Sequence, residues 1–371
     1  MNDELEEKTE RLRQMLGAAD LDAVLLNAQH NFAWLTCGRS NGIDLSRENG
    51  VASLLVTRGG ERYLLANNIE MPRLLAEEVS ASDFEPVEFA WETEKGTADI
   101  ALTKANEMLD DGVIATDIAL FAGAKPIENK IAACRYSLTT DELERYRLLG
   151  RDSGAAIRRT IDRLVPGETE IEIAERLRHE FGLSGMASIV TLVAADERTS
   201  QYRHPVPTTN RWRKTLLLVT CAKRGGLITS QSRLICVGEV PDDLKTRTEA
   251  TAYVNASLLD ATRPGATGAE LYAVAADAYA TKGFADNINL HHQGGAAGYK
   301  TREWVAHPTS TEVVRSNQAF AWNPSITGTK VEETVIVTKD GVETITASPD
   351  FPVITTTING REYHSPGILN V

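Results

Sequence analysis

The sequence predicts an α/β domain over roughly its first 130 residues, followed by an α+β domain assembled from two related halves. Three observations carry this. Short apolar runs alternate with helical periodicity near the start. A helix, Pro-Gly turn, helix pattern occurs twice, with Pro166-Gly167 and Pro264-Gly265 separated by 98 residues. Strand-like sequence follows each copy.

Residues 4–17 place Leu5, Leu12, Met15 and Leu16 on one side of a helix. LDAVLLN (21–27) reads as a strand, and NFAWLTCG (31–38) ends at a glycine. VASLLVT (51–57) and RGGERYLLA (58–66) read as two strands around a Gly-Gly turn, with a helix near 70–79. The boundary falls at SLTTDELERYR, where Thr140 is a candidate cap with Glu142 and Glu144 in the first turn, giving domains of 1–136 and 137–371. The paired helices then run through 142–165 and 168–186, and through 244–263 and 266–284. Each Pro-Gly precedes a Thr and an acidic residue that start the next helix. Chance placement of Pro-Gly after a helix is common, but the match on both sides favours a duplication. The strand runs are 186–194, 215–222 and 226–238, then 318–326, 334–338 and 343–347.

Composition narrows the function. Lys plus Arg total 39 against 52 Asp plus Glu, a net charge of −13. Phosphate-rich nucleic acid and anionic membranes are disfavoured partners. No apolar run reaches the ~20 residues of a membrane span. The acidic start carries no secretory signal. Cys37, Cys134, Cys221 and Cys236 form no CxxC pair, so they read as reduced thiols of a cytoplasmic protein. GGAAGYK (294–300) lacks phosphate-loop spacing, and its small residues suit close backbone or substrate approach. CAKRGG (221–226) reads as a solvated turn. Trp322 is either core or pocket lining, with core the commoner case. No GxSxG supports a serine nucleophile.

The element order, the LDAVLLNAQHNFAWLTCG start and the helix-Pro-Gly-helix repeat resemble the creatinase/aminopeptidase P/prolidase family. That resemblance implies a creatinase-type N-terminal domain and a pita-bread domain. It also implies a homodimer, in which one chain's N-terminal domain lies near the other's active site. Most such proteins are Xaa-Pro peptidases using two metal ions held by two Asp, one His and two Glu. Here the matching positions read Thr220 in TLLLVTCA, Ser230 in ITSQSR, Gly295 in HHQGGAAG, Asn323 in AWNPS and Glu332 in KVEET. Only Glu332 keeps the family's residue. No Asp lies between Asp196 and Asp242, so a slipped alignment restores neither aspartate. The resemblance therefore implies neither a dinuclear centre nor any other cofactor.

His204 in QYRHPVP and His291 occupy the places of family histidines that contact substrate rather than metal. A lone histidine is more often a packed or loop-capping group; two at matching places favour function. Creatinase shares the fold and works without metal through a histidine acid/base. Cys221 and the Arg302-Glu303 pair resemble creatinase features, but Ser232 and Asn323 stand where its guanidino-binding glutamates would be. The expected reading is a metal-independent hydrolase of a small amide or C–N bond. His204, His291 and Glu332 are its catalytic candidates, and His292, Arg302, Glu303, Asn323, Lys330 and Arg233 its substrate-binding ones. Asn323 is a candidate oxyanion donor and Arg302 a grip for an acidic group. The alternative is a catalytically silent member binding a peptide or protein, as the family's histone-chaperone domain and proliferation-associated protein do. An active metallopeptidase with another ligand set is the third possibility.

Overall fold

The computed structural model describes residues 2–371 apart from Ala98, Asp111 and Ala122. The chain divides into two compact units, Met1–Tyr136 and Ser137–Val371. The first is built on a six-stranded mixed sheet of order β4-β3-β2-β1-β5-β6. Its strands are β1 (Ala23–Ala28), β2 (Asn49–Thr57), β3 (Arg62–Asn67), β4 (Glu85–Phe89), β5 (Ile114–Thr116) and β6 (Lys125–Pro126). Every residue of the central β1 is buried. The first helix, Asn2–Ala19, buries Leu5, Leu12 and Leu16 as its periodicity predicts. It also buries Lys8, which is satisfied by Glu4 and by the carbonyl of Trp34. Asp117 accepts the backbone N–H groups of Asn27 and Ala28 and the side-chain amide of Asn31, fixing the start of helix Gln29–Leu35. The helix expected near 70–79 is a short turn, Met71–Arg73, that widens into a π-helical turn, Leu74–Glu78.

In the second unit the repeat is explicit. Helices Thr140–Ile161 and Glu170–Leu183 form one pair, Asp242–Ala261 and Gly268–Thr281 the other. Gly167 and Gly265 take φ of 100° and 96°, a left-handed turn that glycine adopts without a Cβ penalty. Thr169 with Glu172, and Thr267 with Glu270, then close matching capping boxes. The first long helix uses the same device one residue earlier than expected. Thr139, not Thr140, is its cap, because the acidic partner must sit three residues on, at Glu142.

Two sheets follow the helix pairs. One has the order β19-β9-β8-β7, with β7 Ala187–Ala195, β8 Thr215–Arg224, β9 Leu227–Cys236 and β19 Ile368–Asn370. The other has the order β11-β10-β12-β15-β16, with β10 Gly294–Ala297, β11 Trp304–Val305, β12 Ala319–Trp322, β15 Glu333–Thr338 and β16 Gly341–Thr344. A small hairpin, β13 (Ser325–Ile326) and β14 (Thr329–Lys330), extends β12 and β15, and a second hairpin pairs β17 (Val353–Ile358) with β18 (Arg361–Pro366). β9 borders this second sheet: Ser232 donates its N–H to Glu332, and Ser230 donates to the Thr334 hydroxyl. Trp322 belongs to the core. It is fully buried, stacks on Phe320 and donates Nε1–H to Thr262. Among the described residues no helix is long and apolar enough to cross a membrane.

Gly150 and Gly154, one turn apart on helix Thr140–Ile161, lie so close to the segment after β16, at Ile345 and Ala347, that a Cβ at either would overlap a backbone carbonyl. Gly150→Ala is expected to lower stability by about 1–3 kcal/mol, the range for overpacking. Urea unfolding checks this, and an unchanged midpoint would show that the contact is not tight.

Candidate functional site

The β8–β9 hairpin determines which side chains meet. Its register pairs Cys221 with Ser230 and Thr220 with Gln231. Residues opposite each other share a face, and neighbours along a strand alternate. Cys221 Sγ accordingly lies 3.3 Å from Ser230 Oγ, while the Thr220 hydroxyl bonds Ser188 on the other side. Two side chains that share a metal pair must project from one face. On the face that carries Ser230, β8 offers Val219 and Cys221, whereas Thr220 points the other way, so Thr220 does not stand beside Ser230 as the resemblance implied.

The second sheet supplies the facing groups. Trp322 pairs with Glu333 and Ser325 with Lys330, a continuous register that sets Asn323 opposite Glu332. Glu332 is buried between two cations: Arg302 Nη2 is 3.0 Å from Oε1, and Lys330 Nζ is 3.3 Å from Oε2. Arg302 also donates from Nη1 to Ser230 Oγ at 3.2 Å. Burial raises the Glu332 carboxyl, but Lys330, Arg302 and their hydrogen bonds prevail and hold it below its ordinary value of 4.5. Burial is the main cause that raises the Cys221 thiol, so it stays protonated.

Beside this cluster stand three histidines. His291 Nε2 lies 3.1 Å from His204 Nε2, and His291 stacks on His292 with ring centroids 4.3 Å apart. His291 Nδ1 is 2.5 Å from the carbonyl of His292 and donates to it, since a carbonyl only accepts. That leaves a lone pair on His291 Nε2, which accepts the Nε2–H of His204. The free base is then Nδ1 of His204. Tyr279 and Gln293 position the group. Tyr279 donates to Gln293, and Gln293 donates to the carbonyl of His291. Burial, then the positive charge of Lys330, lowers His204 from 6.5 and drives His291 down to about 3. His292 falls to about 4 through burial, Arg302 and Lys330.

The family model for metallopeptidase family M24 matches residues 144–339. The chain belongs to this family. Among curated relatives, the Xaa-Pro dipeptidase of Lactobacillus delbrueckii subsp. lactis is 24% identical over 233 residues, covering 60% of this chain and 63% of that one. The match thus spans less than two thirds of that enzyme. The uncharacterized peptidase YqhT of Bacillus subtilis is 23% identical over 361 residues, covering 92% and 98%. The solved Xaa-Pro dipeptidase from Bacillus anthracis superposes with a TM-score of 0.77 at 21% identity, covering 93% of this chain and 98% of that one. At that identity the likeness establishes the fold: a creatinase-like α/β domain followed by a pita-bread domain.

The M24 two-metal centre can be tested against the residues present. The positions that the family resemblance implies hold a hydroxyl (Ser230), no side chain (Gly295), an amide (Asn323) and one carboxylate (Glu332), and the β8 residues on the face of Ser230 are Val219 and Cys221. A pair of hard dications needs several carboxylates. The remaining carboxylate is already neutralised by Arg302 and Lys330. Gly295 packs against β11 so closely that a Cβ would overlap the Trp304 carbonyl and lie 2.9 Å from Val305 Cα. No side chain enters there without moving a strand. This donor set does not fit two divalent ions.

The other candidates separate clearly. Arg233 lies on the far side of the sheet, buried against Glu333, Ser348 and the Thr346 carbonyl, and its assignment to substrate binding is corrected. It sits one residue along β9 from Ser232, so the pleat turns it away. Its partner Glu333 is pushed up to about 7, because burial outweighs the help from Arg233. Glu303 accepts the N–H of Tyr299 and stabilises the turn before Arg302. Tyr279 and Gln293 carry no signal in the sequence, since only a distant contact brings them to the site, and Cys221 is marked there only by its likeness to a creatinase feature. Asn323 Oδ1 and Ser325 Oγ are buried without a hydrogen-bond partner.

Glu332→Gln leaves two buried cations without their counter-ion. It is expected to cost about 3–5 kcal/mol, as breaking a buried pair does. The sign of the acid response follows. Because the folded carboxyl is held below 4.5, its contribution is complete above that pH and fades as pH falls through the lowered value. Denaturant unfolding of both forms from pH 7 to 3 checks this, and equal stabilities at pH 7 would contradict it.

Proposed function

We propose that this M24 member is a hydrolase that cleaves an amide or other C–N bond in a small anionic substrate without the two-metal centre. The observation that carries this is the Arg302–Glu332–Lys330 cluster. Two fixed cations stand around the one retained ligand carboxylate, beside a hydrogen-bonded histidine pair. Their charge exceeds that of Glu332 by one, which favours a substrate carboxylate or similar anion. Arg302 is the better grip for a planar carboxylate, since its fork can donate twice. The unpartnered Asn323 Oδ1 accepts a substrate N–H. Rotated by half a turn, the same amide donates to a developing oxyanion, worth about 3 kcal/mol where such donors are removed.

His204 supplies the proton chemistry in this reading. Its Nδ1 takes a proton from water as the oxygen bonds to the substrate carbon. The proton then passes to the nitrogen as the C–N bond breaks. His291 keeps His204 in the required tautomer and remains neutral itself. The substrate's anion also offsets the field that lowers the histidines, bringing His204 nearer its ordinary value when the site is filled. A homodimer, carried by the family resemblance, is part of the same proposal.

The test is turnover of N-acyl amino acids, guanidino acids and cyclic amidines by protein kept in chelator. A substrate should be found whose hydrolysis falls at least ~100-fold in His204→Ala, the low end of general-base contributions. Its kcat/KM should rise with pH to a plateau, with a midpoint below 6.5 because the base is active when neutral. Lys330→Met should move that midpoint upward. Turnover that requires added metal would restore the metallopeptidase reading. Tight binding of a substrate-like peptide with no turnover would favour the silent member.

A further inference from the structure

The strongest feature not used by any family ligand position is the histidine cluster itself. His204, His291 and His292 present ring nitrogens that all lie within 4.8 Å of one another. None of the three stands at one of the five two-metal positions. From these contacts we propose that His204, His291 and His292 form a mononuclear site for a divalent transition metal such as zinc.

Three neutral imidazoles are a ligand set that suits zinc, copper or nickel, with a fourth position left to water. The nitrogens of His204 and His291 already stand 3.1 Å apart. Two nitrogens bound to one tetrahedral zinc at about 2.0–2.1 Å are roughly 3.3 Å apart. The pair is therefore near its ligating separation, and the His292 ring needs only to swing inward from its exposed position. The outer shell is partly built. His291 Nδ1–H donates to the His292 carbonyl and so directs the Nε2 lone pair toward His204. Gln293 fixes the backbone at His291. A metal enters where the shared Nε2 proton now lies. His204 moves that proton to Nδ1 and presents Nε2, so no net charge is lost from the protein.

The surroundings bound the affinity. Lys330 and Arg302 face the histidines and oppose a cation, and Glu332 offsets only one of them. A hard oxygen-seeking ion gains nothing here, so selectivity for nitrogen-seeking metals follows. Metal binding and the proton transfer assigned to His204 exclude each other, because the metal takes Nε2 of His204 and leaves a proton on Nδ1, the nitrogen that acts as the base. Zinc is then an inhibitor of the proposed hydrolysis, but the site itself does not depend on that reading.

The test is titration of the chelator-stripped full chain with Co2+ and with Zn2+. It is followed by the visible spectrum of bound cobalt and by calorimetry. One equivalent per chain with tetrahedral cobalt bands is expected, displaced by zinc. His204→Ala, His291→Ala and His292→Ala should each weaken binding by at least the ~10-fold that losing even an outer-shell partner costs. Circular dichroism confirms folding of each variant, and the exposed His292 keeps the test informative if His291→Ala unfolds. Absence of saturable binding would overturn the site. So would binding unchanged in both His204→Ala and His292→Ala, or binding lost only in Glu332→Gln. None of these readouts uses turnover, so failure of the hydrolase proposal leaves them intact.

Discussion

A carboxylate taken out of water must find compensating charge, and Glu332 finds it in Arg302 and Lys330. The rest of the site is arranged around that requirement. Arg302 reaches Glu332 from the loop after β10 and touches Ser230 on β9 on the way. Lys330 comes from the small hairpin two residues before Glu332 itself. The two cations tie the hairpin, the loop and β9 to one carboxylate. In M24 proteins with a two-metal centre, metal ions supply positive charge to such carboxylates. Here covalently attached cations supply it.

The consequences spread outward. Burial, reinforced by the positive charge of Lys330, keeps the neighbouring histidines neutral, which gives His204 and His291 lone pairs at ordinary pH. With no bulky ligand at position 295, β11 closes onto β10, and the glycine becomes a requirement of strand packing. The orphaned Asn323 Oδ1 and Ser325 Oγ remain as polar groups for a bound molecule to satisfy. The pita-bread fold thus accommodates two fixed cations around Glu332 beside a histidine pair.

The helix pairs were legible in the sequence because local chemistry marks them. Pro-Gly followed by Thr-x-x-Glu encodes a turn and a capping box, and it does so twice. His291, His292 and Arg302 are legible because the glycine-rich sequence between them matches a family pattern, and His204 because QYRHPVP precedes a strand as in that family. What escaped was parity. A one-residue uncertainty in a strand moves every side chain to the other face. Thr220 thus points away from Ser230, and Arg233 pairs with Glu333 on the far side of β9. The same kind of slip put the first helix cap at Thr140 instead of Thr139. The convergence of Lys330, Arg302 and Ser230 on Glu332 needs three separate segments in contact, and no local pattern reports that.

The central claim is that the Arg302 guanidinium and the Lys330 ammonium hold the ground around Glu332 that metal ions would need. Crystals grown in millimolar Mn2+, with data collected at the manganese edge, test it directly. Manganese favours oxygen ligands, so it reports on this centre and not on the histidines. The account predicts no anomalous peak beside Glu332, with the guanidinium bonded to Ser230 and Glu332. Two peaks about 3.5–4 Å apart, the spacing of two-metal sites, would contradict it.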